Sequence, residues 1–256
     1  MRLLNKALLK IQVYLYYTAK PNLLNPIFYM RLIRESYSEY RIKKIDNGQL
    51  YEHLTTTIAK SKSTGCEYSD YLTIWNALNK FKPKNILECG SGISSIIYSY
   101  YISKLSDPKQ VKFISMDSVD FWHQQIVEIF PKNLKEFVEF RLSERIESLY
   151  NGVLGCHYKD IPNLNYDFIF VDGPLLRKVW NDKKYPKCFN ADIINIINSN
   201  TDIKINGLLD QRIGTLIELK KLMPSADIKY NPIKKVSYFN CIENSNLTQN
   251  LNIKKV

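Results

Sequence analysis

The chain has little of what builds metal centres or covalent frameworks. Its 256 residues include only three histidines, His53, His123 and His157, too dispersed for a metal cluster. The five cysteines, at 66, 89, 156, 188 and 241, are scattered and odd in number, and no Cys-x-x-Cys occurs. This argues against a disulfide framework or a zinc site and fits a reducing compartment, so the expected location is cytoplasmic. No apolar run is long enough to span a bilayer. Residues 1–19 make a poor secretory signal, because Lys6 and Lys10 interrupt any apolar stretch and no small-residue cleavage site follows. Internal repeats and low-complexity segments are also missing. A composition of 45% hydrophobic and 24% charged residues argues against disorder.

What is plentiful is positive charge. Thirty-six Lys and Arg against 25 Asp and Glu leave a net charge of +11, spread along the chain. Such a surface suits an acidic partner, whether nucleic acid, anionic membrane or acidic glycan, or it is simply solvated. No nucleic-acid-reading motif accompanies the charge, so a nucleic-acid partner is not expected. Near the N-terminus Leu4, Leu8, Ile11 and Leu15 share one helical face, with Arg2, Lys6 and Lys10 on another and Pro21 ending the helix. Residues 1–20 would then either lie on an anionic membrane as a peripheral anchor or dock on the protein's own core or a partner subunit.

The rest of the pattern alternates. Residues 1–64 read as a helical extension. An apolar helix from Tyr71 leads to Pro83. Strands are predicted at 85–88, 111–117, 137–142, 167–172 and 203–209, with helices at 94–103, 121–130, 144–149, 191–198 and 214–222. Two more strands at 227–230 and 236–242 suggest a closing antiparallel pair. The expectation is an α/β fold: a doubly wound, mostly parallel, seven-stranded sheet with helices on both faces, occupying residues 65–243. A polar, basic tail at 244–256 is expected to fray.

In such a sheet the ligand crevice lies outside the carboxyl ends of the strands. Four predicted strand ends carry an acid: Glu88, Asp117, Asp172 and Asp210. Like charges gathered on one edge are costly unless a cation, a hydrogen-bonding ligand or a metal uses them. At the first strand end Glu88-Cys89-Gly90-Ser91-Gly92 runs into a helix. The third glycine of a dinucleotide fingerprint is replaced by Ser95, and a pyrophosphate would be repelled by Glu88. A ligand bearing an ammonium group would be held there instead. Asp117 is placed to accept ribose hydroxyls, although an acid at that position can also cap a helix.

Glu88-Cys-Gly-Ser-Gly-Ile-Ser94, Asp117, and Tyr166-Asp-Phe-Ile-Phe-Val-Asp-Gly-Pro174 together resemble the class I S-adenosylmethionine-dependent methyltransferases over residues 66 to 242. The resemblance implies a Rossmann-like fold and S-adenosyl-L-methionine as cofactor. It implies that Gly90, Ser91, Gly92 and Ser94 pass under the methionine part, that Glu88 helps hold its amino group, and that Asp117 binds the ribose. Leu142 and Ser143, after the third strand, would flank the adenine. The chain departs from the family at Ser94, where a glycine is usual. No Asn/Asp-Pro-Pro-aromatic motif follows the fourth strand, which disfavours methylation of base amines. The implied reaction is methyl transfer to oxygen of a small-molecule or glycan-like acceptor, with Asp172 as base or substrate orienter, unless Asp172 only caps its turn. The basic loop at 175–190 carries Arg177, Lys178 and Trp180, and with Arg212 it suits an acidic or sugar-bearing acceptor or is an ordinary solvated loop. A metal-dependent subset of the family would use Asp172, Asp210 and Gln211 to bind Mg2+, but here Gln stands for the usual Asn and Arg212 adjoins the site. A membrane-peripheral or scaffold protein with a vestigial cofactor fold is the alternative from another functional class, and a nucleic-acid methyltransferase, supported by the charge alone, is a further one.

Overall fold

A computed structural model describes residues 26–63, 67–174, 176, 179–180, 183–184, 188–200 and 202–256, excepting the side chains at 27, 179–180 and 183–184. The amphipathic segment at 1–20 therefore lies outside the described residues. Three helices open the described chain: α1 (Pro26–Lys43), α2 (Gln49–Ile58) and α3 (Tyr68–Phe81). Glu35 on α1 caps α3 by accepting the Ser69 N–H at 2.9 Å and the Tyr68 N–H, which satisfies amides otherwise orphaned at a helix start. Arg34 donates to the Ser69 carbonyl at 2.9 Å. These three bonds hold α1 against the start of α3.

The domain then alternates as predicted: β1 (Asn85–Cys89), α4 (Ser95–Ser103), β2 (Lys112–Asp117), α5 (Asp120–Ile129) and β3 (Glu139–Leu142). Here the pattern breaks. Residues 144–149, expected as a helix, form β4 (Arg145–Tyr150), which hairpins onto β5 (Val153–Tyr158). The two-residue turn between them is Asn151-Gly152, with φ of +48° and +82°. Asn-Gly with two positive φ angles is the turn whose twist matches a β-hairpin, and it outweighs the helix propensity of Glu144, Arg145 and Leu149. Alternation resumes with β6 (Phe168–Val171), the two-residue pair β7 (Val179–Trp180) and β8 (Lys183–Lys184), β9 (Phe189–Asn190), α6 (Asp192–Ser199), β10 (Ile205–Asp210) and α7 (Ile213–Leu222). The antiparallel β11 (Asp227–Asn231) and β12 (Val236–Ile242) close the main sheet, and β13 (Ile253–Lys255) ends the chain.

The main sheet has seven strands in the order β11-β12-β10-β6-β1-β2-β3. β3, β2, β1, β6 and β10 run parallel, so their carboxyl ends share one edge. Order reverses between β1 and β6, which is where an open α/β sheet forms its crevice. Strand alternation sends Leu87, Cys89, Ile169 and Val171 into the core on one face. Ile86, Phe168 and Phe170 enter the other, with Tyr98 of α4 and Ile74 and Leu78 of α3.

The tail is not frayed. β13 pairs with β4, the Asn151 N–H donates to the Asn252 carbonyl at 2.9 Å, and Leu247, Leu251 and Ile253 pack on the core. Deleting residues 247–256 should cost about 2–4 kcal/mol of unfolding free energy, from three partly buried apolar side chains and a lost ladder. Urea denaturation measures it; an unchanged midpoint would mean that the pairing contributes nothing.

Candidate functional site

Backbone packing at the carboxyl edge brings the turns after β1 and β6 together. Gly90 has φ of +106°. A Cβ there would lie 2.9 Å from the Asp172 carbonyl carbon and the Gly173 nitrogen, and one on Gly173 would lie 2.4 Å from the Tyr158 hydroxyl. Only glycines permit this approach. The Gly90 and Ser91 N–H groups donate to the Met116 carbonyl at 2.8 and 3.0 Å, and the Asp172 N–H donates to the Cys89 carbonyl at 2.7 Å. The ends of β1, β2 and β6 are thereby locked together.

A cleft of about 350 Å³ opens above this junction. Gly90, Ser91, Gly92, Ser94, Asp117, Asp172, Asp210 and Arg212 line it, all anticipated from the sequence. So do Ser118, Val119 and Trp122 at the start of α5, Tyr158 of β5, and Asp70, Tyr71 and Ile74 of α3. The sequence reading missed Tyr158 together with its strand. Nothing in the α3 sequence distinguished the cleft-facing Asp70 from an ordinary solvated acid.

Glu88 lies beneath the cleft floor, fully buried. In the β1–β2 register it stands opposite Ser115, on the same face of the sheet. Ser115 donates to its Oε2 and Ser94 to its Oε1, each at 2.6 Å, and the Ser95 hydroxyl donates to Oε2 as well. The Ser91 and Ser115 hydroxyls lie 2.9 Å apart, extending the network to the cleft wall. Burial pushes the Glu88 carboxyl up to about 7, against the pull of the serine hydroxyls, and the nearby charge of Asp172 adds to the rise. Ser94 and Ser91 are thus the groups through which this carboxyl meets the cleft.

Asp117 is almost buried, and its Oδ1 accepts the Val119 N–H at 2.8 Å. Burial raises it to about 6, opposed by the backbone amides of Val119 and Ser118. Ser143 does not reach the cleft. It is buried, and its Oγ accepts the Asp160 N–H at 3.0 Å, while Leu142 is 48% exposed on the sheet edge. Val119 and Trp122 stand beside Asp117 instead.

Asp172 is half accessible, and its Oδ1 accepts from Arg212 Nη2 at 3.0 Å. Arg212 is 15% exposed and also donates from Nη1 to the Pro174 carbonyl at 3.2 Å and to Asn190 Oδ1 at 3.3 Å. Asn190 Nδ2 in turn donates to the Gly173 and Pro174 carbonyls at 2.6 and 3.0 Å. Enclosure in the cleft raises the Asp172 pKa, and Arg212 opposes the rise. Asp210 is raised as well, by burial and then by the charge of Asp172, while Arg212 opposes the rise in both.

These groups do not fit a divalent cation. The Arg212 guanidinium already occupies the Asp172 carboxylate, and Gln211, with φ of +36°, does not line the cleft. Among the described residues no group of three or more His, Cys, Asp or Glu is disposed to hold a metal. Arg177 and Lys178 lie outside the described residues, as does the side chain of Trp180.

No protein-family model matches the chain, and no curated protein sequence matches it. Solved structures do. An S-adenosylhomocysteine-bound methyltransferase from Podospora anserina is 14% identical, with 76% of this chain and 88% of that chain covered at a TM-score of 0.50. A putative O-methyltransferase from Klebsiella pneumoniae is 12% identical, covering 82% of this chain and 99% of its own at 0.48. An O-methyltransferase from Streptomyces achromogenes, solved with S-adenosylmethionine, is 9% identical over 82% of this chain and 98% of its own at 0.49. The likeness to the Podospora structure is one of fold: this chain has the Rossmann-like methyltransferase fold.

Glu88 carries a pH signature. The folded chain holds its proton up to about pH 7, whereas the ordinary value is 4.5. Between those values the folded state binds the extra proton, so stability falls as pH rises. Glu88→Gln does not titrate. Its stability relative to the wild type should therefore rise by roughly 3 kcal/mol between pH 4.5 and pH 8 in urea titrations of the ligand-free protein. Parallel pH profiles would show that Glu88 titrates normally.

Proposed function

We propose that the chain is an S-adenosylmethionine-dependent methyltransferase acting on a hydroxyl of a small, glycan-like molecule. The observation that carries this reading is the convergence of Asp117, the Gly90–Ser94 turn and Asp172 on one cleft at the strand carboxyl edge. The cofactor supplies an activated methyl group on a sulfonium sulfur. Asp117 would accept the ribose hydroxyls, with Val119 and Trp122 beside the adenine. The methionine end would lie over Gly92, which lines the cleft, and the Ser94 and Ser91 hydroxyls would relay the charge of Glu88 to its ammonium group.

The acceptor would enter from the side of Asp172 and Asp70. Methyl transfer to oxygen needs a nucleophile held in line and its proton removed. Asp172 suits that task, because its raised pKa makes it a better base while Arg212 fixes its orientation. Among the described lining residues Asp70, Asp117, Asp172 and Asp210 face a single guanidinium, Arg212. That balance favours a neutral polyol over an anionic acceptor, despite the net charge of +11 on the whole chain.

Titration calorimetry with S-adenosylhomocysteine tests the cofactor half. Asp117→Asn should weaken binding about 10–100-fold, the cost of losing charge-assisted hydrogen bonds to both hydroxyls. No heat with the wild type, or equal affinity in the variant, contradicts the reading. Once an acceptor is found, Asp172→Asn should lower kcat about 100-fold or more with cofactor affinity nearly unchanged. An unchanged kcat would remove Asp172 as the base.

A further inference from the structure

A cluster apart from the cleft's reacting groups sits where the 175–190 segment rejoins the sheet. Cys188 is half-buried immediately before β9, and the fully buried Cys156 lies on β5, with which β9 pairs. The Cys156 thiol hydrogen-bonds to Cys188. Arg145 Nη2 points at Cys188 Sγ from 3.0 Å. The Arg145 side chain is only 5% exposed, and its Nη1 also pairs with Glu147. A guanidinium this close favours the thiolate form of Cys188 over the thiol.

We propose that Cys188 is a peroxide-reactive thiol with Cys156 as its resolving partner, forming an oxidative modification site on the acceptor side of the fold. The hydrogen bond from Cys156 and the Arg145 charge bring Cys188 down to about 7 against the effect of burial, whereas Cys156 is raised. The chemistry balances with a peroxide as oxidant. The Cys188 thiolate attacks one peroxide oxygen, the O–O bond breaks, hydroxide leaves, and the sulfur becomes a sulfenic acid. Cys156 then attacks that sulfur as the S–O bond breaks. Its proton and the departing hydroxide form water, so one disulfide and two waters result from two thiols and hydrogen peroxide.

The site is mechanically connected to the cleft. The Cys188 thiol donates to the Leu176 carbonyl at 2.8 Å, and Asn190, two residues on, holds the Gly173 and Pro174 carbonyls beside Asp172. A disulfide removes that S–H donor and ties the end of the loop to β5.

The experiment is peptide-level mass spectrometry of the full chain after one equivalent of hydrogen peroxide and blocking with N-ethylmaleimide. The expected product is a Cys156–Cys188 linked peptide that disappears on reduction. In Cys156→Ser, dimedone should label Cys188. The rate of iodoacetamide labelling at Cys188 should have a pH midpoint near 7 in the wild type. It should move up by about one unit or more in Arg145→Gln, towards the ordinary thiol value. Oxidation at Cys66 or Cys241 with Cys188 untouched overturns the proposal, as does a wild-type labelling midpoint at about 8.5. All these readouts are independent of methyl transfer, so they succeed or fail separately from the functional reading above.

Discussion

Two turns meet backbone to backbone where β1 and β6 end, and the candidate site depends on that contact. Gly90 and Gly173 each occupy a place where a Cβ would come within 3 Å of the other turn's backbone. Amides of the first turn close on the Met116 carbonyl of β2, and the amide of Asp172 closes on Cys89 of β1. Asp117 and Asp172, 55 positions apart in sequence, are held across one cleft by these short bonds rather than by contact with each other. The Gly90 position thus serves packing first. Gly92, two residues on, lines the cleft itself.

Below that contact lies an electrostatic device set by strand parity. Because side chains alternate along β1, Glu88 cannot face the cleft and must enter the core beneath α4. The parallel register then sets Ser115 beside it, and the helix start supplies Ser94 and Ser95. Serine in place of the family's glycine at position 94 is therefore not a mere loss of backbone freedom. It supplies a hydroxyl that connects a buried acid to the cleft. Burial favours the neutral form of this carboxyl, and its three hydroxyl donors reduce the cost of the anion when a cation arrives nearby.

Much of this was legible in the sequence because the signals were periodic and local. The seven strands of the main sheet and the acids at four strand ends follow from alternation and from the glycine turn. The second sheet escaped, since β4 is rich in helix formers and the Asn151-Gly152 turn went unread. With β5 unseen, Tyr158 could not be placed in the cleft, and Ser143 was assigned to the adenine although it anchors the turn at Asp160. Tertiary facts account for the rest. Asp70 reaches the cleft because α3 packs on the sheet through Ile74 and Leu78, and the pairing of Arg212 with Asp172 joins two strand ends that no spacing rule connects.

The central claim is that the junction of β1, β2 and β6 holds an adenosyl amino acid. A crystal structure of the protein soaked with S-adenosylhomocysteine tests it most directly. The account predicts the ribose hydroxyls on the Asp117 carboxylate, the adenine against Val119 and Trp122, and the amino group within reach of Ser94 above the buried Glu88. Density for the ligand elsewhere, or none at saturating concentration, would contradict it.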